Sequence, residues 1–80
     1  MKLSQLKLGQ KAKIINIDAK NKEIKRHLLD MGLTRGTIVS IKKIAPMGDP
    51  IDLMLRDYEL CVGKDDLKMV DVEVIKWKLL

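Results

Sequence analysis

Apolar and polar residues alternate along several short segments of this chain, and this pattern predicts β-strands. The segments are residues 10–18, 37–45, 51–56, 59–62 and 70–74. Residues 51–56 give the clearest case, because large aliphatic side chains occupy every second position. Short strands joined by tight turns predict a mainly β protein, a small and partly open barrel of about five strands.

One segment between the first two predicted strands has helical periodicity instead. Ile24, Leu28 and Met31 recur at i, i+4 and i+7 and share one face. Asn21 precedes them at a position that suits an N-cap. The pattern therefore predicts one inserted α-helix over residues 22–31.

The end of this helix also has a sequence signature. Gly32 follows Met31 directly, at the position where a left-handed residue commonly closes a helix. Leu33 would then pack back on Leu28. Gly36 supplies a second turn before the next strand, since glycine adopts turn conformations that a Cβ would strain.

The chain length predicts a single domain over residues 1–80, in which residues 75–80 form a C-terminal tail of unknown role. A chain this short buries only about 60% of its unfolded surface, so its stability margin is thin. The core must be aliphatic, because 46% of the residues are hydrophobic and Phe is absent. With one Cys the chain cannot form an internal disulfide.

The apolar segments are too short for a membrane span, which needs roughly 20 residues. The N-terminal segment MKLSQLKLGQ also lacks the continuous apolar stretch of a signal peptide. We therefore expect a cytoplasmic protein, and a single unpaired Cys is consistent with a reducing compartment.

A catalytic set is not evident. Cys61 and His27 are the only candidates for a nucleophile and base, and Cys61 lies within an apolar strand pattern where a free Cys behaves as a small hydrophobe. The sequence contains no nucleophile elbow, zinc-protease motif or phosphate-binding glycine loop. We expect no enzyme activity, no catalytic residues and no cofactor.

A metal site is a second chemical alternative. His27 and Asp30 lie three apart on the predicted helix and could hold a transition ion weakly with a Cys from elsewhere. A solvated His beside a surface Asp is the simpler interpretation. We expect no metal site within one chain.

The net charge of +5 suits contact with acidic proteins, anionic lipids or nucleic acid. Nucleic-acid binding by a small β-barrel is the main alternative function, because Lys and Arg crowd the N-terminal half. Single-strand binders also stack bases on aromatic side chains. Tyr58 and Trp77 are too few and too distant for that, so we expect no specific nucleic-acid binding.

Two segments together resemble a known family. The first is HLLDMGLTRG at residues 27–36, followed by IVSIKKIAP, and the second is APMGDPIDLMLRDYEL at residues 45–60. This order of elements resembles the FeoA family. A helix ends in L-x-x-M-G-L-x-x-G and is followed by a strand, the loop A-P-x-G-D-P, an alternating strand and Y-x-L. The resemblance covers the chain from about Leu3 to Val74 and depends on the order and spacing of both segments.

The resemblance implies an SH3-like barrel with a helical insertion and a role in bacterial ferrous-iron uptake. FeoA proteins act beside FeoB, a membrane permease with a cytoplasmic GTP-binding domain, and no enzymatic activity is attributed to them. It therefore implies a cytoplasmic adaptor that binds the cytoplasmic part of FeoB and reaches the membrane only through that partner. Weak self-association stays open.

The same barrel resembles the C-terminal domain of iron-dependent repressors. We expect no direct repression, because the sequence has no upstream DNA-binding helical domain. The chain departs from the FeoA pattern at Gly63, where the family tends to carry a larger, often basic residue, and in the tail after Val74.

Helix geometry predicts where a partner docks. Leu29 lies about 140° from Ile24 at 100° per residue, beside Lys25 and Arg26, so it should point away from the barrel. An apolar residue ringed by cations suits docking on an acidic surface. The alternative docking site is the rigid loop formed by Pro46, Met47, Gly48, Asp49 and Pro50.

Overall fold

The computed structural model describes residues 1–76 and shows a mainly β fold. Its strands are β1 (Lys11–Ile17), β2 (Ile38–Ile44), β3 (Ile51–Leu55), β4 (Tyr58–Val62) and β5 (Val70–Val74). Helix α1 (Lys22–Asp30) lies between β1 and β2, and the short helix α2 (Lys64–Leu67) precedes β5. A 3-10 turn (Leu3–Gln5) stands before β1. The predicted inserted helix is confirmed, with Met31 as its C-cap.

The five strands form one open antiparallel sheet in the order β4-β3-β2-β1-β5. The outer edge of β5 is partly covered by the N-terminal segment. The backbone N–H of Val72 donates to the carbonyl of Met1 at 2.8 Å, and Lys2 forms an isolated bridge with Asp71. Such cover leaves fewer unpaired backbone groups on that edge.

The core lies on one side of this sheet. Alternation places Ile51, Leu53 and Leu55 inward, as predicted, and α1 adds Leu28, which is fully buried. The remaining buried apolar side chains come from the 3-10 turn, the other strands, α2 and the turn after α1. Burying them supplies most of the stabilisation of a domain without disulfides.

A β-bulge interrupts β1 where it pairs with β5. Ile14 pairs with Val72 and Asn16 pairs with Asp71, so Ile15 is the additional residue. Ile14 is completely buried, whereas Ile15 is 39% exposed. The bulge therefore places Ile14 in the core and its neighbour Ile15 on the outer surface.

The C-terminal end of α1 is closed by two reverse hydrogen bonds. The N–H of Gly32 donates to the carbonyl of Leu29 at 2.9 Å, and that of Leu33 donates to the carbonyl of Leu28 at 3.1 Å. Gly32 has a φ of +98°, which glycine adopts without the steric cost of a Cβ. Leu28 and Leu33 are both fully buried, so the predicted closure by Gly32 and Leu33 is present.

Tyr58 connects the end of α1 to the sheet. Its hydroxyl donates to the carbonyl of Met31 at 3.0 Å, and a Cβ added to Gly32 would lie 1.9 Å from that hydroxyl oxygen. Gly32 is therefore required both by its backbone conformation and by this close approach. Gly36 has a similar φ of +90°, but an added Cβ there would meet nothing within 4 Å.

Two local predictions need correction. Tyr58 was expected in the connection between strands but begins β4, because the turn consists of Arg56 and Asp57. Arg56 adopts a φ of +46° there. Residues 63–69 lie between two predicted strands and carry no predicted helix, whereas the structure forms α2 from Lys64. Of the predicted tail at 75–80, residues 77–80 lie outside the described part of the chain.

Lys2 and Asp71 form the ion pair that ties the N-terminus to β5, at 2.7 Å between Nζ and Oδ1. Hydrogen bonds from Lys2 and then Asn16 lower the pKa of Asp71, because they favour the carboxylate. The same bond raises the pKa of Lys2, because it favours the ammonium ion. Each shift favours the charged state of its own group in the folded protein.

We predict that Gly32→Ala destabilises the protein more than Gly36→Ala. Each alanine should cost about 1–2 kcal/mol for a left-handed backbone. At position 32 the hydroxyl of Tyr58 must also move away, which should add about 1 kcal/mol for its lost hydrogen bond. Urea unfolding measures both costs. In a Tyr58→Phe background the difference between the two variants should shrink, and an unchanged difference would show that this contact is not its cause.

We predict that the Lys2–Asp71 pair stabilises the fold within a limited pH range. The contribution of Asp71, whose folded pKa is lowered, is present above its ordinary value of 3.8 and is lost as the pH falls through the folded value. The contribution of Lys2 is present below 10.5 and is lost as the pH rises through its raised folded value. Urea midpoints of wild type and Asp71→Asn should therefore converge in acid. Asp57→Asn, a change in the exposed β3–β4 turn, is the control and should show no comparable convergence.

Candidate docking surface

A shallow groove of about 190 Å³ lies between α1 and β1. We call it the α1 groove. It is lined by Ile15, Asn16, Ile17, Lys25, Leu29 and Arg35. Leu29 is 38% exposed, as its helical position predicted, and the bulge in β1 places Ile15 along the same groove. Two exposed aliphatic side chains from different elements therefore share one depression.

Cations flank the aliphatic residues of the α1 groove. Lys25 on α1 and Arg35 in the following turn are exposed, and neither is within 4.0 Å of a carboxylate among residues 1–76. Arg26 is also exposed but does not line the groove. The groove thus brings the aliphatic side chains of Ile15 and Leu29 together with two cations that form no ion pair within residues 1–76.

The loop at residues 46–50 presents one highly exposed apolar side chain, because Met47 is 92% exposed. Two backbone bonds close the loop. The N–H of Gly48 donates to the carbonyl of Ala45 at 2.7 Å, and the N–H of Ala45 donates to the carbonyl of Pro50 at 3.1 Å. Gly48 has a φ of +83°, and Pro46, like Pro50, is exposed.

Asp49 has a structural task in this loop. Its Oδ1 accepts a hydrogen bond from the backbone N–H of Lys64 at 2.7 Å, so it satisfies the first turn of α2 from a distant part of the chain. Gly63, the N-cap of α2, has no side chain to do so. Of the loop residues predicted to contact a partner, Asp49 is therefore already engaged within the fold.

The two predicted docking regions do not line a common depression. The residues lining the α1 groove include none from the loop at 46–50. Leu28, Met31, Gly32, Leu33 and Gly36, named from the family motif, act in the fold: they pack on the core or form turns. Of the residues that line the α1 groove, Leu29 and Lys25 are predicted from the sequence, but Ile15 and Arg35 are not. The adjacent isoleucines in β1 were the available signal, because strict alternation cannot bury both.

Gly63 marks the departure from the family pattern. Its φ of −64° is open to any residue, and an added Cβ would meet only the Oδ1 of Asp49, at 4.0 Å. A larger residue would therefore fit at this position. A basic side chain there would start near the carboxylate of Asp49.

Cys61 lies exposed on β4, the strand at one edge of the sheet. Its cross-strand neighbour Asp52 raises the pKa of the thiol, because the carboxylate favours the protonated form, and partial desolvation and the negative charge of Asp49 act in the same direction. Because the thiolate is the reactive form, these surroundings make Cys61 a weaker nucleophile. His27 lies on α1, in a different element.

Residues 1–76 contain no cluster of three or more His, Cys, Asp or Glu side chains that could hold a metal ion. His27 and Asp30 therefore have no third ligand of these types beside them in this part of the chain. Within the described residues, no helix has the length and apolar character needed to cross a membrane.

The fold and its surface define a class of protein. A five-stranded antiparallel sheet with one inserted helix and an exposed groove between helix and sheet is a small SH3-like β module. The family model described as the FeoA domain matches residues 1–74, so the chain belongs to the FeoA family. This family is associated with ferrous-iron transport, and it is a transport accessory domain rather than a known enzyme class.

Three relatives illustrate the similarity. The chain is 31% identical over 75 residues to an Fe(2+) transport protein A/Fe(2+) transporter FeoB fusion protein of Porphyromonas gingivalis. That match covers 94% of this chain but only 9% of the fusion protein. An NMR structure of an FeoA-like protein from Clostridium acetobutylicum is 38% identical, with a TM-score of 0.88 over 100% of this chain and 92% of that one.

The third relative is FeoA of Stenotrophomonas maltophilia, crystallised with zinc and described as a prokaryotic SH3 domain protein. It is 25% identical, with a TM-score of 0.78 over 91% of this chain and 89% of that one. The expected SH3-like barrel with a helical insertion is thereby confirmed.

We predict that Asp49→Ala lowers the free energy of unfolding by about 1 kcal/mol, because the N–H of Lys64 loses the acceptor that caps α2. Asp49→Asn should retain most of this stability, since an amide oxygen can accept the same hydrogen bond. Urea unfolding of the two variants measures the difference. Equal losses would mean that the negative charge rather than the hydrogen bond stabilises this turn.

Proposed function

We propose that this protein is a cytoplasmic accessory of bacterial ferrous-iron uptake that binds the cytoplasmic part of an FeoB-type permease and has no catalytic activity of its own. The observation that carries the proposal is the Porphyromonas gingivalis fusion protein, in which a segment similar to this chain is joined to an FeoB transporter. Joining two modules raises their effective concentration, which favours pairs that work in contact. The membrane is reached through that partner.

The α1 groove is the surface that we propose for this contact. Leu29 and Ile15 supply apolar contacts, and Lys25 and Arg35, which line the same groove, form no ion pair within residues 1–76. Charge of one sign around an apolar centre guides encounter with an acidic surface, and the apolar contact slows dissociation. Arg26, exposed on the same helix, adds to the positive field.

The surroundings of Cys61 support the absence of catalysis. Its raised thiol pKa disfavours the thiolate, which is the nucleophilic form. A binding module needs no such nucleophile.

We predict that Leu29→Glu strongly reduces capture of the permease's cytoplasmic domain and slows ferrous-iron uptake, while the melting temperature hardly changes. Leu29 is 38% exposed, so Leu29→Ala should cost under about 0.5 kcal/mol. Leu28 is fully buried, and Leu28→Ala should cost about 2–5 kcal/mol. Pull-down, cellular iron uptake and thermal unfolding provide the three measurements.

Two further variants make this experiment decisive. Leu8→Glu introduces the same charge at a residue that is 63% exposed outside both docking regions, and it should leave binding intact. Met47→Glu tests the loop at 46–50. If Leu29→Glu binds like wild type and Met47→Glu does not, docking occurs at the loop. If wild-type protein fails to bind the permease domain, the proposed function is wrong.

Nucleic-acid binding is the second candidate, supported by the exposed cations of α1 and β1. Among residues 1–76 the large aromatic side chain is Tyr58, whose hydroxyl is already bonded to Met31. Contacts made by lysine alone should disappear at physiological salt. Tight binding of single-stranded RNA at that salt, without binding of the permease domain, would favour this candidate.

A further inference from the structure

The α1 groove continues onto the outer face of the sheet. A second depression, of about 280 Å³, is lined there by residues of β1, β2 and β3 together with Gly36 and Arg56. Arg35 lines the first depression and Gly36 the second, so the two meet at consecutive residues. On β1 the exposed positions Lys11, Lys13 and Ile15 follow each other on one face and connect them.

This connected surface, which we call the outer strip, is defined by two kinds of residue. Its cations are Lys11, Lys13, Lys25, Arg35 and Arg56. Its apolar members are Ile15, Leu29, Ile38 and Met54. Three of these four are 38–41% exposed, which is unusual for large aliphatic side chains placed side by side.

The positive charges of the outer strip form no ion pair within the described residues 1–76. No carboxylate of residues 1–76 lies within 4.0 Å of any of the five cations. Glu73 is the cross-strand neighbour of Lys13, yet it forms no ion pair with it. Excess positive charge around apolar side chains favours a ligand that combines carboxylates with an aliphatic group.

The spacing along β1 indicates the conformation of that ligand. Side chains on one face of a strand recur every two residues, or about 6.6 Å. Lys11 and Lys13 therefore form a pair of cations at this spacing, and Ile15, in the bulge, follows them along the strand. An extended segment has the same repeat, so carboxylates at i and i+2 would meet the two lysines, and an aliphatic residue at i+4 would follow near Ile15.

We infer that the outer strip binds an extended acidic segment of a protein partner, with two carboxylates over Lys11 and Lys13 and an aliphatic side chain at Ile15 and Leu29. The inference rests on the proposed function only for the identity of the partner, and it names the chemistry that the partner presents. It also makes the sheet, and not the helix alone, part of the docking surface.

The test titrates the ¹⁵N-labelled full chain with a capped peptide of two Glu-Ser-Glu-Ser-Leu repeats and follows amide chemical shifts. Shift changes should map to the outer strip and should disappear when Gln replaces Glu in the peptide. Lys13→Glu and Ile38→Glu should each weaken binding by about tenfold or more, as expected for charge reversal or charge burial at a contact.

Matched controls are available on the same protein. Lys64→Glu makes the same charge change on α2, and Ile44→Glu makes the same apolar-to-acid change on β2, where Ile44 is 39% exposed against 41% for Ile38. These two should change the affinity by less than about twofold, as expected for sites away from a contact. Equal effects of strip and control variants would overturn the inference.

A parallel titration with the permease's cytoplasmic domain separates this inference from the proposed function. If the domain fails to bind while the peptide occupies the strip, the proposed function fails and the strip assignment stands. If the domain binds and neither ligand shifts the strip residues, the strip assignment fails and the function stands. Stronger binding of a ten-nucleotide uridine RNA than of the peptide at physiological salt would overturn the inference in favour of a polyanion site.

Discussion

The turn at Gly32 is the constraint on which the arrangement of helix and sheet depends. A helix inserted between β1 and β2 must end and return to the sheet within a few residues. The left-handed Gly32 permits this, because it allows both reverse hydrogen bonds to form and places Leu28 and Leu33 together in the core. Tyr58 then bonds the end of the helix to β4. Because Leu28 packs into the core, the rotation of about 100° per helical residue places the next side chain, Leu29, toward the surface.

The bulge in β1 has a similar influence on the surface. Without an additional residue, strict alternation would continue with Ile14 inward and Asn16 inward. The bulge at Ile15 instead restores Ile17 to the core and leaves Ile15 on the outside, next to α1. Bulges commonly redirect a side chain in this manner. The apolar centre of the candidate docking surface thus results from one irregularity in each of two elements, the end of α1 and the middle of β1.

The sequence predicted those parts of the fold that depend on local pattern. Alternation located β3 and β5, and the cap, apolar face and glycine located α1. The parts that it missed depend on residues distant in the chain. Helix α2 has only four residues and receives a hydrogen bond from Asp49, fifteen positions earlier. The turn between β3 and β4 places Arg56 in a left-handed conformation, and it contains no glycine from which that conformation could be predicted. On the surface, helical geometry predicted that Leu29 is exposed near Lys25. That Ile15 and Arg35 line the same groove could not be predicted, because it depends on the bulge in β1 and on the folded chain.

The carboxylates that form contacts within the described fold pair with groups other than the cations of α1 and β1. Several carboxylates are used within the fold: Asp18 and Asp71 contact Lys2, Glu59 contacts Lys42, Asp65 contacts Lys68, and Asp49 caps α2. The cations of α1 and the outer face of β1 have no such partners among the described residues. Their mutual repulsion opposes folding in a chain whose stability margin is thin, although solvent screening keeps that cost small at an exposed surface. A surface that only had to be soluble could intersperse both signs, as most do. Here carboxylates such as Glu73 and Glu23 lie near the cations of β1 and α1 in the fold or the sequence, yet no ion pair forms between them within residues 1–76. Those cations therefore contribute little to stability through ion pairs inside the described part of the chain.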